Sequence, residues 1–344
     1  MQHLSERYEH DKNIWNACAQ TYEEQIVCGH PDVTDYEGFE HTFLDRLVTS
    51  LCRDHGRTIH LYDFGCGSGR LHLDLGQRMI AEARRPSHNG YRGSIAHIGG
   101  IDFSGEMIEL AKQKVKKAGL DALMPGRLSF DIGSAFDVRA YEGEHLPLAV
   151  SVCNSIGVMQ GPAGARRLFE SMRRYVEQRK GIAVISAYKK EAVATHALGN
   201  YESTLDVCGQ PRWLEPSTHA SPEYVLRPHY YKRAFDSDAG ITVDVFDRSG
   251  NCVERGVSLQ RNQQATEKTI KSGVIATHAD YHSQWYPLSR FRLWMRELWP
   301  EGTRWHIDAA NIDRMRGAPA QLAILDYSGL FETLAARWHL KPLN

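Results

Sequence analysis

The sequence predicts a doubly wound α/β protein built on a Rossmann-like, seven-stranded, mostly parallel sheet, with a helical cap ahead of it and an antiparallel β insertion within it. Three observations carry that expectation. From residue 59 to 187, short apolar runs of strand length alternate with amphipathic stretches of helix length, the rhythm of repeated βαβ units. The first strand, Leu61-Tyr62-Asp63-Phe64, runs directly into Gly65-Cys66-Gly67-Ser68-Gly69-Arg70 ahead of a helix. After Tyr188 the rhythm gives way to strand-like segments and resumes only near residue 287.

Taken in order, residues 3–28 read as an amphipathic helix with Tyr8, Trp15, Cys18, Tyr22 and Ile26 near one stripe, and a second helix is expected from Tyr36 to Leu51. Strand 59–64, helix 69–83, strand 95–101 and helix 105–118 follow, then strands 127–131 and 147–153, helix 163–179 and strand 181–187. Ser104 stands where an N-cap belongs, ahead of Met107, Ile108, Ala111 and Val115, and Gly119 falls just past that helix's end. Further strands are expected near 224–235, 241–248 and 252–260, the last two joined by Asp247-Arg248-Ser249-Gly250. A helix through Leu288 to Met295, a strand from Thr303 to Ile307 and a last strand from Gln321 to Tyr327 complete the pattern. Four parts result: a cap (1–55), a core (56–187), an insertion (188–286) and a segment finishing the core sheet (287–344). The insertion leaves from the carboxyl end of the fifth strand, the edge where doubly wound sheets bind ligands, so it is expected to serve as a lid.

Composition narrows the function. With 42% hydrophobic residues in 344, the chain can bury a proper core. Its 41 Lys and Arg nearly cancel 42 Asp and Glu, so no field of one sign calls for nucleic acid or an anionic membrane. A small molecule is the expected partner. Runs such as Leu146 to Val150 are too short to span a bilayer, and the charged start from Met1 to Lys12 lacks a signal-peptide core, which points to the cytoplasm. Seven cysteines at 18, 28, 52, 66, 153, 208 and 252 include no C-x-x-C and match neither a disulfide framework nor a zinc knuckle.

The glycine loop carries the chemistry. Glycine lets the backbone turn tightly and approach a ligand, and the helix behind it aims free N–H groups and a positive dipole at an anion. A dinucleotide fingerprint would put its third glycine where Arg70 stands, whereas here Gly69 closes a D-x-G-x-G-x-G pattern that starts at Asp63. This pattern resembles motif I of the class I S-adenosylmethionine-dependent methyltransferases, and the resemblance implies S-adenosylmethionine, cradled at Gly65 and Gly67. Asp102, ending the second strand, is the candidate acceptor for both ribose hydroxyls. Asp131, at the end of the third, is the candidate for the adenine amine, with Ile132, Phe103 and Met107 sandwiching the ring. Asp63 would face the methionine ammonium by charge complementarity. Trp15 and Tyr22 on the leading helix would close over the sulfonium, which aromatic faces stabilise without competing as nucleophiles.

The reacting end departs from a plain methyltransferase. The fourth strand ends in Val152-Cys153-Asn154-Ser155, without the Asn/Asp-Pro-Pro-Tyr/Phe of enzymes that methylate amino groups in nucleic acid and protein. A carboxamide such as Asn154 can accept an amine N–H and leave the nitrogen lone pair free. The architecture resembles the glycine and sarcosine N-methyltransferases over nearly the whole chain. A narrower resemblance, to the azetidine-2-carboxylate synthases, rests on the segment from Trp15 to Tyr22, on Val152-Cys153-Asn154-Ser155 and on Tyr201-Glu202-Ser203-Thr204. It implies cyclisation of S-adenosylmethionine itself: the α-amine attacks the γ-carbon and methylthioadenosine leaves. Asn154 would orient the amine, Tyr188 would contact the sulfonium or amine, and Ser203 would hold the carboxylate. Cyclisation is the leading expectation. The alternatives are conventional methylation of a small amine, amino acid or 2-oxo acid, and a cofactor-binding module without catalysis. A metal is not part of the expected site; His278, Asp280, His282 and His306 are the rival cluster that would change this. Arg227, His229, Lys232 and Arg233, in the first strand of the insertion, would select an acidic acceptor.

Overall fold

In the computed structural model the described residues are 39–83, 93–189, 286–309 and 320–343, five residues of the leading segment (Lys12, Trp15, Asn16, Ala19 and Glu23), and the backbone of 31–38 and of four strands between 212 and 257. Tyr22, Ser203, Arg227, His229, His278, Asp280 and His282 lie outside them, and of Lys232 and Arg233 only the backbone is described.

Helix α1 (Pro31–Thr49) continues into a wider turn at Ser50–Asp54 and leads to strand β1 (Ile59–Phe64). Then come α2 (Arg70–Ala83), β2 (Ile95–Asp102), α3 (Gly105–Lys117), the short α4 (Leu120–Leu123), β3 (Leu128–Ile132), β4 (Leu146–Ser151), α5 (Gly161–Glu177) and β5 (Ile182–Tyr188). The insertion contributes β6 (Arg212–Trp213), β7 (Tyr230–Asp236), β8 (Gly240–Phe246) and β9 (Cys252–Val257), an antiparallel sheet in that order. The core resumes with α6 (Leu288–Leu298), β10 (Thr303–Asp308), β11 (Ala320–Asp326) and α7 (Phe331–Arg337). The seven core strands stand in the order β10-β11-β5-β4-β1-β2-β3, all parallel except β11, which runs antiparallel to both its neighbours.

Both faces of the sheet centre are covered, so its strands read as continuous apolar runs. In β5, Ile182 and Val184 pack with the cluster that includes α1 residues Phe43 and Leu47 and α7 residue Phe331. Ala183, Ile185 and Ala187 pack on the other face with Phe169 of α5 and Trp294 of α6. Ser104 caps α3 as expected, its hydroxyl accepting the Met107 N–H at 3.2 Å, and Gly119 beyond the helix takes φ +68°. No helix joins β3 to β4, and β3 is accordingly only partly buried. On the open face near it, His60 stacks on His97 (4.8 Å between ring centroids) and Tyr62 on Tyr175 (5.3 Å). The insertion leaves and rejoins the core at one point: Lys189 bridges to Tyr286, and the Tyr286 N–H donates to the Tyr188 carbonyl. Among the described residues, no helix is long and apolar enough to cross a membrane.

Candidate active site

Strand β1 ends at Phe64, and the chain turns over the sheet through three glycines with positive φ: Gly65 (+87°), Gly67 (+50°) and Gly69 (+74°). The loop is pinned to the end of β2, since the Gly65 and Cys66 N–H groups both donate to the Ile101 carbonyl (2.8 and 3.0 Å). At Gly67 the backbone conformation favours glycine, and the place of a β-carbon is open, with no atom within 4 Å. That opening faces a pocket lined by Gly65, Gly67, Asp63, Asp102, Phe103, Met107, Asn154 and Tyr188, with Trp15 of the leading segment on its wall. Nine sequence-predicted residues thus share one cavity at the carboxyl edge of the sheet.

Asp102 is 8% exposed and rigidly aimed. One carboxylate oxygen accepts the Gly67 N–H and the other the Ser104 N–H, both at 2.9 Å. Burial pushes its pKa up to about 6, opposed by backbone N–H donors from Ser104, Gly67 and Phe103. Each oxygen keeps a second lone pair for a hydroxyl donor. Asp63 is different. It is 2% exposed, and its Oδ1 has no hydrogen-bond partner among the described residues. Burial, then the charges of Asp102 and Glu40, push its pKa up to about 8. An unpartnered buried carboxyl is costly, so the pocket is built for a cation at this point.

Beyond β2, the third strand-end signal falls outside the pocket lining. Asp131 is exposed and accepts the Tyr62 hydroxyl at 2.8 Å, and Ile132 is 58% exposed. Neither lines the pocket; Ser134, Ala135 and Phe136 do. The physical reason is the missing helix after β3. With that face open, Asp131 is drawn to Tyr62 on β1, and the chain turns inward two residues later.

At the opposite end, β4 finishes at Ser151, and Cys153 and Asn154 both take left-handed φ (57° and 55°). The Asn154 Oδ1 accepts the Tyr188 backbone N–H at 3.0 Å; that donor also fixes which end of the carboxamide is oxygen. The Cys153 N–H donates to both Glu40 carboxylate oxygens at 2.9 Å, and the Arg70 guanidinium meets the Cys153 sulfur at 3.5 Å. Burial holds the Cys153 thiol well above its ordinary pKa, which argues against a nucleophilic role. His41, next to Glu40 on α1, also lines the pocket, and its Nε2 lies 3.2 Å from the Asp74 carboxylate on α2. Glu40, His41 and Arg70 were not among the expected site residues. His41 belongs to a seam of residues spaced by four, in which Asp74 and Arg78 on α2 meet His41, Asp45 and Thr49 on α1, Arg78 binding both Asp45 and Thr49. Three further contacts bind the leading segment to the glycine loop and α3: Glu23 accepts the Ser68 hydroxyl and pairs with Lys114 (2.6 Å), and Asn16 accepts the Ser104 hydroxyl at 2.7 Å.

Of the metal candidates, only His306 is described. Its Nδ1 accepts the Arg292 Nε–H at 3.1 Å, and its Nε2 lies 3.0 Å from the Gln321 Oε1. Burial lowers its pKa to about 4, so it is a neutral structural link in that network.

Residues 56–218 match the family model of a methyltransferase domain. The chain carries a methyltransferase domain. Among solved structures, the CcbJ methyltransferase from Streptomyces caelestis shares the fold at 12% identity, covering 92% of this chain and 98% of that one with a TM-score of 0.50. An S-adenosylmethionine-dependent methyltransferase from Clostridium acetobutylicum aligns at 11% identity over 91% and 98% of the two chains, with a TM-score of 0.47. None of the curated proteins matches this chain. The methyltransferase domain contains the whole pocket floor from Asp63 to Tyr188, and S-adenosylmethionine is the methyl donor that goes with such a domain. Its residues fit that cofactor: the unpartnered Asp63 oxygen suits an ammonium, Asp102 suits a ribose diol, and the open Gly67 position leaves room for a ligand against the backbone.

Proposed function

We propose that this enzyme transfers the methyl group of S-adenosylmethionine to a small-molecule acceptor carrying an N–H or O–H group, within the cytoplasm. The observation that carries the proposal is Asp63, a fully enclosed carboxyl whose Oδ1 has no hydrogen-bond partner among the described residues. S-adenosylmethionine supplies an electrophilic methyl on a sulfonium. The bound α-ammonium draws Asp63 into its ionised form, and the ion pair keeps that amine protonated, without the lone pair needed to attack the neighbouring γ-carbon. Asp102 fixes the nucleoside, and Phe103, Met107, Ser134, Ala135 and Phe136 form the walls around the base. Trp15 covers the pocket from the leading segment. His41, oriented by Asp74 through Nε2, presents Nδ1 as the group to receive the acceptor's proton. The partner is a small molecule, with no nucleic acid or membrane involved.

Cyclisation to azetidine-2-carboxylate is the second reading. The joined ends of β4 and β5 favour it, because Asn154 and Tyr188 form one wall of the pocket and, among the described residues, no carboxylate stands between them to engage an external amine. In that reaction Asp63 takes the α-ammonium proton, the freed nitrogen attacks the γ-carbon, and methylthioadenosine departs with the C–S electron pair. One assay separates the two. The pure protein is incubated with S-adenosylmethionine alone and with panels of small amines, amino acids, phenols and 2-oxo acids. S-adenosylhomocysteine formed only with an acceptor supports methyl transfer. Methylthioadenosine formed without one overturns it in favour of cyclisation.

A further inference from the structure

At the pocket end of β5, single residues do the work of a neighbouring strand. Pairing with β4 stops where Ser151 faces Ile185, and further along β5 the Tyr188 N–H donates to the Asn154 Oδ1 (3.0 Å) while the Tyr188 carbonyl accepts the Tyr286 N–H (3.2 Å). Tyr286 is in turn held from the far edge of the sheet. Its carbonyl accepts the Gln321 Nε2–H at 2.6 Å. The Gln321 Oε1 lies 3.0 Å from the His306 Nε2, and the His306 Nδ1 accepts the Arg292 Nε–H at 3.1 Å. An Nδ1 that accepts leaves the ring proton on Nε2, and that Nε2–H fixes which end of the Gln321 carboxamide is oxygen, so each assignment requires the next. Gln321 is fully buried. Asp308, opposite Gln321 in the β10–β11 ladder and on the same face of β10 as His306, holds the Lys189 ammonium at 2.5 Å. Lys189 and Tyr286, where the insertion leaves and rejoins the core, are thus both anchored on one face of β10 and β11.

We infer that Gln321 is a positioning residue for the active site: by holding Tyr286 it fixes Tyr188 and, through the Tyr188 N–H, the Asn154 carboxamide that lines the pocket. The inference rests on the S-adenosylmethionine reading of that pocket and goes beyond it by naming a residue outside the lining that sets its wall. A paired strand would hold the end of β5 through a ladder of bonds. Here the Tyr188 N–H and carbonyl each rest on one contact, so cutting the link behind Tyr286 lets the wall move. Gln321 reaches the ligand only through Tyr188 and Asn154. Links in series are not additive: with the Asn154 carboxamide gone, loss of Gln321 has little left to displace.

The test is a double-mutant cycle that needs no acceptor and no turnover. Calorimetry with S-adenosylhomocysteine and thermal melts are run on the wild-type chain, Gln321→Met, Asn154→Ala and the double variant. Substitutions at residues that do not touch a ligand move its affinity by roughly twofold to thirtyfold. Gln321→Met should weaken S-adenosylhomocysteine about fivefold or more in the wild-type background and less than about twofold in Asn154→Ala, while lowering the melting temperature in both. A purely structural Gln321 would shift the melts alone, or the affinity equally in both backgrounds, and either result overturns the inference. His306→Phe, which removes only the outer link, should give the same pattern at smaller amplitude and replaces Gln321→Met if that variant does not fold. Amide hydrogen exchange reads the same link without ligand: in Gln321→Met the Tyr188 N–H should exchange faster, by a larger factor than the Val184 N–H in the middle of β5. Equal factors would overturn the inference. Wild-type protein that binds no S-adenosylhomocysteine would overturn the cofactor reading, and the exchange experiment would then decide the link from Gln321 to Tyr188 by itself.

Discussion

The carboxamide oxygen of Asn154 accepts the backbone N–H of Tyr188 at 3.0 Å, so the ends of the fourth and fifth strands are joined beneath the pocket by a side chain. Asn154 sits in the left-handed region that asparagine tolerates better than most residues, and both residues are almost fully buried. The residue expected to orient a reacting amine thus also holds the wall of the site in place. Asn154→Ala leaves the buried Tyr188 N–H without its acceptor, at about 1–3 kcal/mol. A lower melting temperature should accompany lower turnover, and Asn154→Asp, which restores an acceptor, should recover the melting temperature. An alanine variant that melts with the wild type would show that the contact is dispensable.

Asp63 makes stability depend on pH in an unusual direction. Its pKa stands at about 8 in the fold, against about 4 in an unfolded chain. Between those values the folded chain holds a proton that the unfolded chain has already lost, so stability from this group is full below pH 4, declines as pH rises towards 8, and then levels off. Asp63→Asn should flatten that decline in a series of thermal melts. The same variant should bind S-adenosylhomocysteine at least tenfold more weakly, because its ammonium loses the anion. An unchanged pH profile together with unchanged affinity would remove Asp63 from the site.

The glycines of the loop should separate by phenotype. A β-carbon at Gly67 meets nothing, while one at Gly69 comes to 2.8 Å from the Ala111 β-carbon and 3.1 Å from the Phe130 ring. Gly67→Ala should cost about 1 kcal/mol or slightly more for its positive φ and lose cofactor affinity by intruding on the ligand. Gly69→Ala should melt earlier, with the affinity of the surviving folded protein less affected. Titration calorimetry and thermal melts on the pair decide; the reverse assignment would mean that Gly67 does not face the ligand.

His41 and Asp74 predict a signature in the rate. With the acceptor found by the product assay, His41→Gln should lower kcat by about a hundredfold, the usual scale of a general base, and leave S-adenosylhomocysteine affinity within twofold. In Asp74→Asn the imidazole loses the carboxylate that orients it, so kcat should fall there too, with S-adenosylhomocysteine affinity again within twofold. A kcat that matches the wild type in both variants would assign the contact to helix packing alone.

What the sequence made legible follows from how local each signal is. The glycine loop, Asp63 and Asp102 lie at strand ends within one βαβ unit, where spacing alone carries the geometry, and all three proved to share a cavity. Asp131 looked equivalent, yet its fate was decided by a helix absent between β3 and β4 and by Tyr62 on another strand. Glu40, His41 and Arg70 depend on two helices meeting across the glycine loop, which no stretch of sequence displays. The inserted sheet was visible as a change of rhythm, but its first short strand, Arg212–Trp213, is two residues long and carries no periodicity to read.

The central claim, that the pocket between Asp63 and Tyr188 is an S-adenosylmethionine site, is tested most directly by titrating the purified chain with S-adenosylmethionine in a calorimeter. The account predicts saturable binding at one site per chain, competed by S-adenosylhomocysteine and weakened at least tenfold by Asp102→Ala, which removes the ribose acceptor. Absence of saturable binding, or binding indifferent to Asp102→Ala, would contradict it.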